Sequence, residues 1–361
     1  MPKHVTIIGG GIIGLSSAWR LAQTGFDVTL LEKGICGSGA TTASLGALVP
    51  YNASRKDTWP ENQRQSLWQY PHFINDLQKA TGIDVAYKKS GRLQIIQDER
   101  QFQKLKEDAD IANGEWPFSR GPVQRFLTAD EVQKREPELN VTEFGAMQCN
   151  ATAHFHPKRM VAALRSACMK RGVDIRENSP AIRFIVEDGK ITSVYSATGL
   201  IKTDAVVLAA GAWSKSLLPE KSQMEKYVRP LKGQALEIST PHKLISHMIR
   251  GLGVYLIQMD DKILWLGGTK EKDAGFDETL TPEAEDFLLA KAEQLIPAIA
   301  ECKVVKQWAG LRPYSENKHP FIGWDDNTPN LYHATGHAGI GLCLTPYTSS
   351  KVMEDFKIWM S

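Results

Sequence analysis

A chain of 361 residues is longer than one ordinary core holds, so two closely joined domains are expected. Hydrophobic residues make up 42% and charged residues 23%, which argues against disorder and fibrous repeats. A formal net charge of +2, without a long run of Lys and Arg, leaves no field for a nucleic-acid backbone. Cys36, Cys149, Cys168, Cys302 and Cys343 are odd in number and scattered, with no CxxC pair and no metal-ligand spacing; they read as reduced, mostly buried thiols, and no metal is expected. Nowhere do about twenty apolar residues run together, and the first strand starts too early to follow a signal peptide. The cytoplasm is the expected compartment, with loose attachment to a membrane surface left open.

The chain opens with a predicted strand, His4 to Ile8, a turn through Gly9-Gly10-Gly11, and a helix in which Ile12, Leu15, Ala18, Leu21 and Ala22 recur at helical spacing. Gly25 ends that helix, and a second apolar strand, Val28 to Leu31, closes on Glu32, completing a βαβ unit. A helix from Arg64 to Thr81 leads to strands expected at Val85 to Tyr87 and Gly91 to Ile96, the start of an antiparallel sheet. A helix from Pro157 to Arg171, a short strand at Val173 to Ile175 and a hairpin around Asp188-Gly189 return the chain to an α/β layer. Ala205 to Leu208 is apolar throughout, as in a parallel strand buried on both faces. From Tyr227 to Cys302 come alternating strands at Val254 to Gln258 and Ile263 to Leu266, then a helix from Pro282 to Ile296. A last strand, Leu331 to Thr335, the turn Gly336-His337-Ala338-Gly339 and a helix to about Ile358 repeat the opening strand–glycine–helix logic.

Gly9-x-Gly11-x-x-Gly14 sits between strand and helix, with Glu32 at the end of the next strand. Such glycines let the chain turn tightly, admit a pyrophosphate without a Cβ and pack the helix on the sheet, while an acid at the second strand end accepts hydrogen bonds from a ribose diol. Dinucleotide binding follows; the fingerprint alone does not choose between FAD and NAD.

Further along stand Gly39-Ala40-Thr41-Thr42-Ala43-Ser44-Leu45-Gly46-Ala47, Thr81-Gly82-Ile83-Asp84-Val85, Ser90-Gly91-Arg92-Leu93, Ala209-Ala210-Gly211-Ala212-Trp213-Ser214, Trp308-Ala309-Gly310-Leu311-Arg312-Pro313 and Thr335-Gly336-His337. In content and order these strings resemble the D-amino-acid oxidase family of FAD-dependent oxidoreductases, its glycine oxidase branch most closely. The resemblance implies an α/β, Rossmann-like FAD-binding domain carrying an inserted α+β antiparallel-sheet substrate domain. The division expected is 1–84, 150–220 and 305–361 for FAD, and 85–149 and 221–304 for substrate. It further implies that Ile12 and Ile13 open the pyrophosphate helix, that Glu32 and Lys33 meet the adenosine ribose, that Ala40 and Thr41 are the next contacts, and that Leu45, Gly46 and Ala47 border the flavin ring. Ala181 matches a position whose backbone meets the adenine end, and Gly211 is a further cofactor contact. His337, Ala338, Gly339, Ile340, Gly341, Leu342 and Cys343 form a turn whose helical N–H groups point at the flavin C2 carbonyl, where negative charge accumulates on reduction. Core packing is the plain alternative for Leu45 and Ala47.

By the same resemblance Arg312 forks the carboxylate of a small amino acid and the Tyr255 hydroxyl joins it. A structural ion pair is the ordinary alternative for Arg312, and core packing for Tyr255. Ala338 and Gly339 stand where glycine oxidases carry an aromatic residue and an arginine, so one positive charge is missing and glycine as substrate is in doubt. Arg250 lies close enough in sequence to compensate, though a solvated loop arginine is the favoured reading. No cysteine stands at 311 or 312, which makes noncovalent FAD the expectation. The implied reaction is oxidative deamination by hydride transfer to flavin N5, with no side-chain base. Oxygen, giving hydrogen peroxide, or a quinone is the acceptor; a non-catalytic flavin-binding protein is the alternative of another class. Homo-oligomerisation is left open.

Overall fold

The computed structural model describes residues 3–50, 60–115, 123–218, 228–317 and 319–360. Tyr227 and the expected domain junction at 220/221 lie outside them. Two sheets dominate. The first has six strands in the order Phe321–Trp324, Leu331–Thr335, Ala205–Leu208, His4–Ile8, Asp27–Leu31 and Asp174–Arg176. All neighbours are parallel except the first pair. Parallel strands buried on both faces need apolar residues at every position, and Ala205, Val206, Val207 and Leu208 are fully buried. Helices Ile12–Gln23, Pro157–Lys170 and Gly341–Met360 pack with helix Pro60–Thr81 into the core that covers this sheet.

The second sheet has eight strands, ordered Lys303–Ser315, Val228–Ser239, Ile263–Gly267, Val254–Asp260, Met248–Gly251, Arg92–Ile95, Ala146–Cys149 and Gln124–Leu127. Its neighbours are antiparallel apart from Met248–Arg250 beside Arg92–Gln94, the parallel seam that joins the two inserted stretches. Side chains alternate across the sheet. Leu93, Ile95, Ile249, Val254, Leu256, Leu264, Leu266, Leu236 and Ile238 form a core with helix Pro282–Leu295, whose buried residues are Ala284, Leu288, Ala292 and Leu295. Arg92, Arg250, Tyr255 and Trp265 occupy alternate positions on the same strands and so lie on the other face. The expected boundary at 304/305 falls inside strand Lys303–Ser315, which pairs along Val228–Ser239.

Two local expectations meet a different outcome. Val85 to Tyr87 is not a strand, because Ala86 takes a left-handed φ of 55° while its N–H donates to Asp84 Oδ1 at 2.8 Å, a side-chain turn in place of ladder pairing. The helix expected from Arg64 starts at Pro60 and runs through Pro71; tertiary burial of Tyr70, Phe73 and Leu77 outweighs the hydrogen bond that proline removes. Helix Glu99–Glu115 and the strands Val228–Ser239 and Lys303–Ser315 carry no strong period in the sequence. The hairpin Ala181–Glu187 with Lys190–Ser196 does form, on Asp188 and Gly189 at positive φ, and a third strand, Gly199–Lys202, joins it.

No helix among the described residues is long and apolar enough to cross a membrane, and none of their His, Cys, Asp and Glu side chains group to hold a metal ion.

Candidate active site

The glycine turn divides its three glycines by task. An added Cβ at Gly9 would press on the Ala209 carbonyl, and one at Gly14 on the Gly9 carbonyl, so both are demanded by packing of helix against sheet. At Gly11 the same atom would meet only Thr41 Oγ1, at 3.4 Å. The one glycine that faces room rather than protein stands at the start of helix Ile12–Gln23, beside its positive end. Ile12 and Ile13 bury their side chains in the core, leaving their backbone to serve the cradle, and Ile12 N–H donates to Thr41 Oγ1 at 3.0 Å.

Glu32 is buried at the end of its strand. Its Oε2 accepts from Gly10 N–H at 2.6 Å and its Oε1 from Gly34 N–H at 2.9 Å. Each oxygen keeps a second lone pair, enough for a ribose diol. Lys33 is exposed with Nζ 3.0 Å from the centre of the Trp213 ring. Ser179 N–H donates to Glu32 O, which brings the start of strand Ala181–Glu187 beside the acid. Gly211, at φ 57°, has nothing within 4 Å of an added Cβ, so it too borders open space.

The segment 43–47 lies against the second sheet. Trp308 Nε1 donates to Ala43 O at 2.9 Å, Ala47 pairs with His154, and Phe155 N–H donates to Gly46 O. Gly46 has φ 74°, and a Cβ there would press on the Phe155 carbonyl, so only glycine fits. A Cβ at Gly267 would come within 3.0 Å of Leu45 Cδ1, and Gly267 is the register partner of Tyr255. Leu45 therefore sits over the strands that carry Tyr255, with Trp265 and Trp308 as an aromatic wall at 5.5 Å between rings.

Arg312 is half-buried and its Nη1 donates to the backbone carbonyls of Thr269, at 3.0 Å, and Lys232, at 3.5 Å. No carboxylate lies within ion-pair distance of it among the described residues. Glu271, the acid whose charge acts on Arg312, is held by Lys232 Nζ at 3.2 Å and Gln234 Nε2 at 3.0 Å. Burial lowers the Arg312 pKa, partly offset by the charge of Glu271 and by Tyr255, which it faces. The structural ion pair that sequence offered as the alternative belongs to Lys232 instead.

The C-terminal turn uses Gly336 at φ 77° and Ala338 at φ 47°, then one tight turn, Ala338–Ile340, before helix Gly341–Met360. Nothing lies within 4 Å of an added Cβ at Gly339. His337 is buried behind the turn, Nε2 at 3.1 Å from Thr348 Oγ1, and burial pushes its pKa down to about 3. It is a neutral packing residue, so any contact it makes with a ligand is through backbone. Cys343 is buried with its thiol on Val49 O, and the Tyr70 hydroxyl donates to Leu342 O. Glycine turn, acid, open Gly11 and free helix start together form a cradle that fits a dinucleotide.

A model of FAD-dependent oxidoreductases, DAO, matches residues 4–354. The chain belongs to the DAO family. It is 31% identical over 353 residues to the glycine oxidase of Pseudomonas putida, covering 96% of this chain and 92% of that one. With the glycine oxidase of Bacillus licheniformis it shares 28% over 349 residues, 96% and 91% of the two chains. A crystal structure of glycine oxidase from Bacillus cereus superposes with a TM-score of 0.88 at 28% identity, covering 99% and 96%. As a DAO-family member the chain is an FAD-dependent oxidoreductase.

Two residues stand differently from the sequence reading. Arg250 is not a loop residue: it lies in strand Met248–Gly251, pairs with Tyr255 and packs its guanidinium 5.2 Å from that ring's centre. Arg92 is not among the site residues to which the sequence points. It is fully buried on the same face, and the signal for it was a charged residue in a short strand whose other polar residue is Gln94.

Proposed function

We propose that this DAO-family chain oxidises the carbon–nitrogen bond of a small amino acid whose carboxylate is held by Arg312 and the Tyr255 hydroxyl. The observation that carries this reading is Arg312 itself: a largely desolvated fork of donors, facing Tyr255, with no carboxylate within ion-pair distance among the described residues. A substrate carboxylate supplies the missing partner in the paired geometry a guanidinium prefers.

FAD, bound noncovalently along Gly11, Glu32, Thr41, Leu45 to Ala47 and the turn from Ala338 to Leu342, would supply a hydride acceptor that oxygen or another acceptor then reoxidises. The chain's own contribution is positioning. A clamped carboxylate fixes the direction of the Cα–H bond, worth several powers of ten in rate without any side-chain base. Trp265, Trp308 and Leu45 exclude water, so the hydride leaves the neutral amine in a low-dielectric setting. Loss of a hydride from the neutral amine would leave an iminium ion, which water converts to the oxo acid and ammonium after release. The six-stranded sheet would serve FAD and the eight-stranded sheet substrate.

The test is an oxygen-electrode screen of FAD-loaded enzyme with glycine, sarcosine, proline and D-amino acids, repeated anaerobically with a quinone. Oxygen uptake with peroxide formation is the expected result. Turnover with quinone alone would make the chain a dehydrogenase; none with any amine would remove the reading.

A further inference from the structure

Arg92 is fully buried, and none of its three guanidinium nitrogens has a hydrogen-bond partner. The charges that act on it are those of Cys149, Tyr255 and a second cation, Arg250; none of these is an acid. A guanidinium sealed from water without a partner costs several kcal/mol, so a fold keeps one where something else completes it. Its place tells what that is. Arg92 pairs with Met248 and Cys149 in register, and Arg250, two residues along the neighbouring strand, pairs directly with Tyr255. Arg92, Arg250 and Tyr255 therefore share the face against which Leu45 packs. Tyr255 also faces Arg312. One tyrosine thus stands between two sets of cations, and only the Arg312 set has been given an anion above.

We propose that Arg92 and Arg250 form a second anion-binding position beside Tyr255, so that the amino acid this site takes carries a second carboxylate. The inference rests on the amino-acid reading of the site and names its substrate class. A dicarboxylic amino acid places one carboxylate at Arg312 and the other at Arg92, joining through one small molecule two guanidinium groups with no carboxylate partner among the described residues. The charge missing at Gly339 is then not lost from the pocket but supplied by another strand.

The experiment follows the flavin absorbance of the FAD-loaded enzyme during titration with unreactive acids, malonate and succinate against acetate and propionate. Wild type should bind the dicarboxylates at least about tenfold more tightly, as expected for an added charge-assisted fork. Arg92→Met should reduce that ratio to within about twofold while the monocarboxylate constants move little. In turnover the preference for D-aspartate over D-asparagine should fall in parallel. Equal binding of both classes by wild type overturns the proposal, as does a ratio that survives in Arg92→Met. If that variant fails to retain FAD, Arg92→Lys keeps the charge and removes the fork; it should lower the ratio at least about threefold, and an unchanged ratio overturns the proposal. Oxidation of neutral amino acids without any dicarboxylate preference would remove this inference and leave the proposed reaction. Tight dicarboxylate binding with no amine oxidised would do the reverse.

Discussion

Arg312 shows how much one side chain's surroundings decide. Its Nη1 ends on two carbonyls, and the acid that would have made it structural is already taken by Lys232 and Gln234. Replacing Arg312 by Lys keeps a charge but loses the fork. We expect kcat/KM for the best amino acid to fall by an amount equivalent to about 2–5 kcal/mol, since the substrate carboxylate is left poorly paired. FAD content and thermal stability should stay near wild type. A large drop in Tm with normal turnover would show a structural arginine and would take the amino acid out of the assignment.

At the scale of elements, the glycine turn and the helix it starts separate packing from binding. Gly9 and Gly14 cannot accept a Cβ because the fold's own carbonyls are there, whereas Gly11 can. Gly11→Val should therefore fold, with a far-ultraviolet spectrum like wild type, yet lose most of its flavin, because the branched side chain fills the space of a pyrophosphate. Full FAD content in soluble Gly11→Val would show that the cradle lies elsewhere. Segment 43–47 is positioned by elements remote in sequence, Trp308 from one side and Phe155 from the other. That is why its apolar residues looked like plain core until the second sheet was placed beneath them.

For the whole molecule, burial of neutral imidazoles couples the fold to pH. His154 is buried between the sheets' connecting strands, its Nδ1 3.0 Å from Ser90 Oγ, and burial lowers its pKa to about 4, with Lys88 adding to the shift. An unfolded histidine titrates near ~6.5. Between these values the unfolded chain binds the proton and the folded one does not, so stability is complete above about pH 6.5 and falls as the pH drops toward 4. At pH 5 the loss from this one residue is on the order of 2 kcal/mol. His337 acts in the same direction. His154→Gln should narrow the Tm difference between pH 7.5 and pH 5, whatever its effect at neutral pH. An equal acid loss in that variant would mean that His154 is not held neutral.

The opening βαβ unit, the buried run at Ala205 to Leu208 and the terminal strand, turn and helix were determined by sequence alone. Each is a local pattern: apolar period, glycine where the backbone turns, an acid at a fixed offset. Strings such as Gly39 to Ala47 and Trp308 to Pro313 marked the DAO family, and the resemblance pointed to Arg312 and Tyr255. What they left open were the partners. Whether Arg312 meets an acid depends on Glu271 and Lys232, forty or more residues and eighty residues away in sequence, and only strand pairing brings them to it. Arg250 read as a loop residue because four residues between turns carry little period, and it became a strand residue by pairing with Tyr255. Arg92 was visible as a letter, but its meaning, a cation with no neutralising partner among the described residues, exists only once the eight-stranded sheet has sealed it from water. Local periodicity fixes the elements; unpaired charge is a property of the assembled core, and tertiary structure alone decides it.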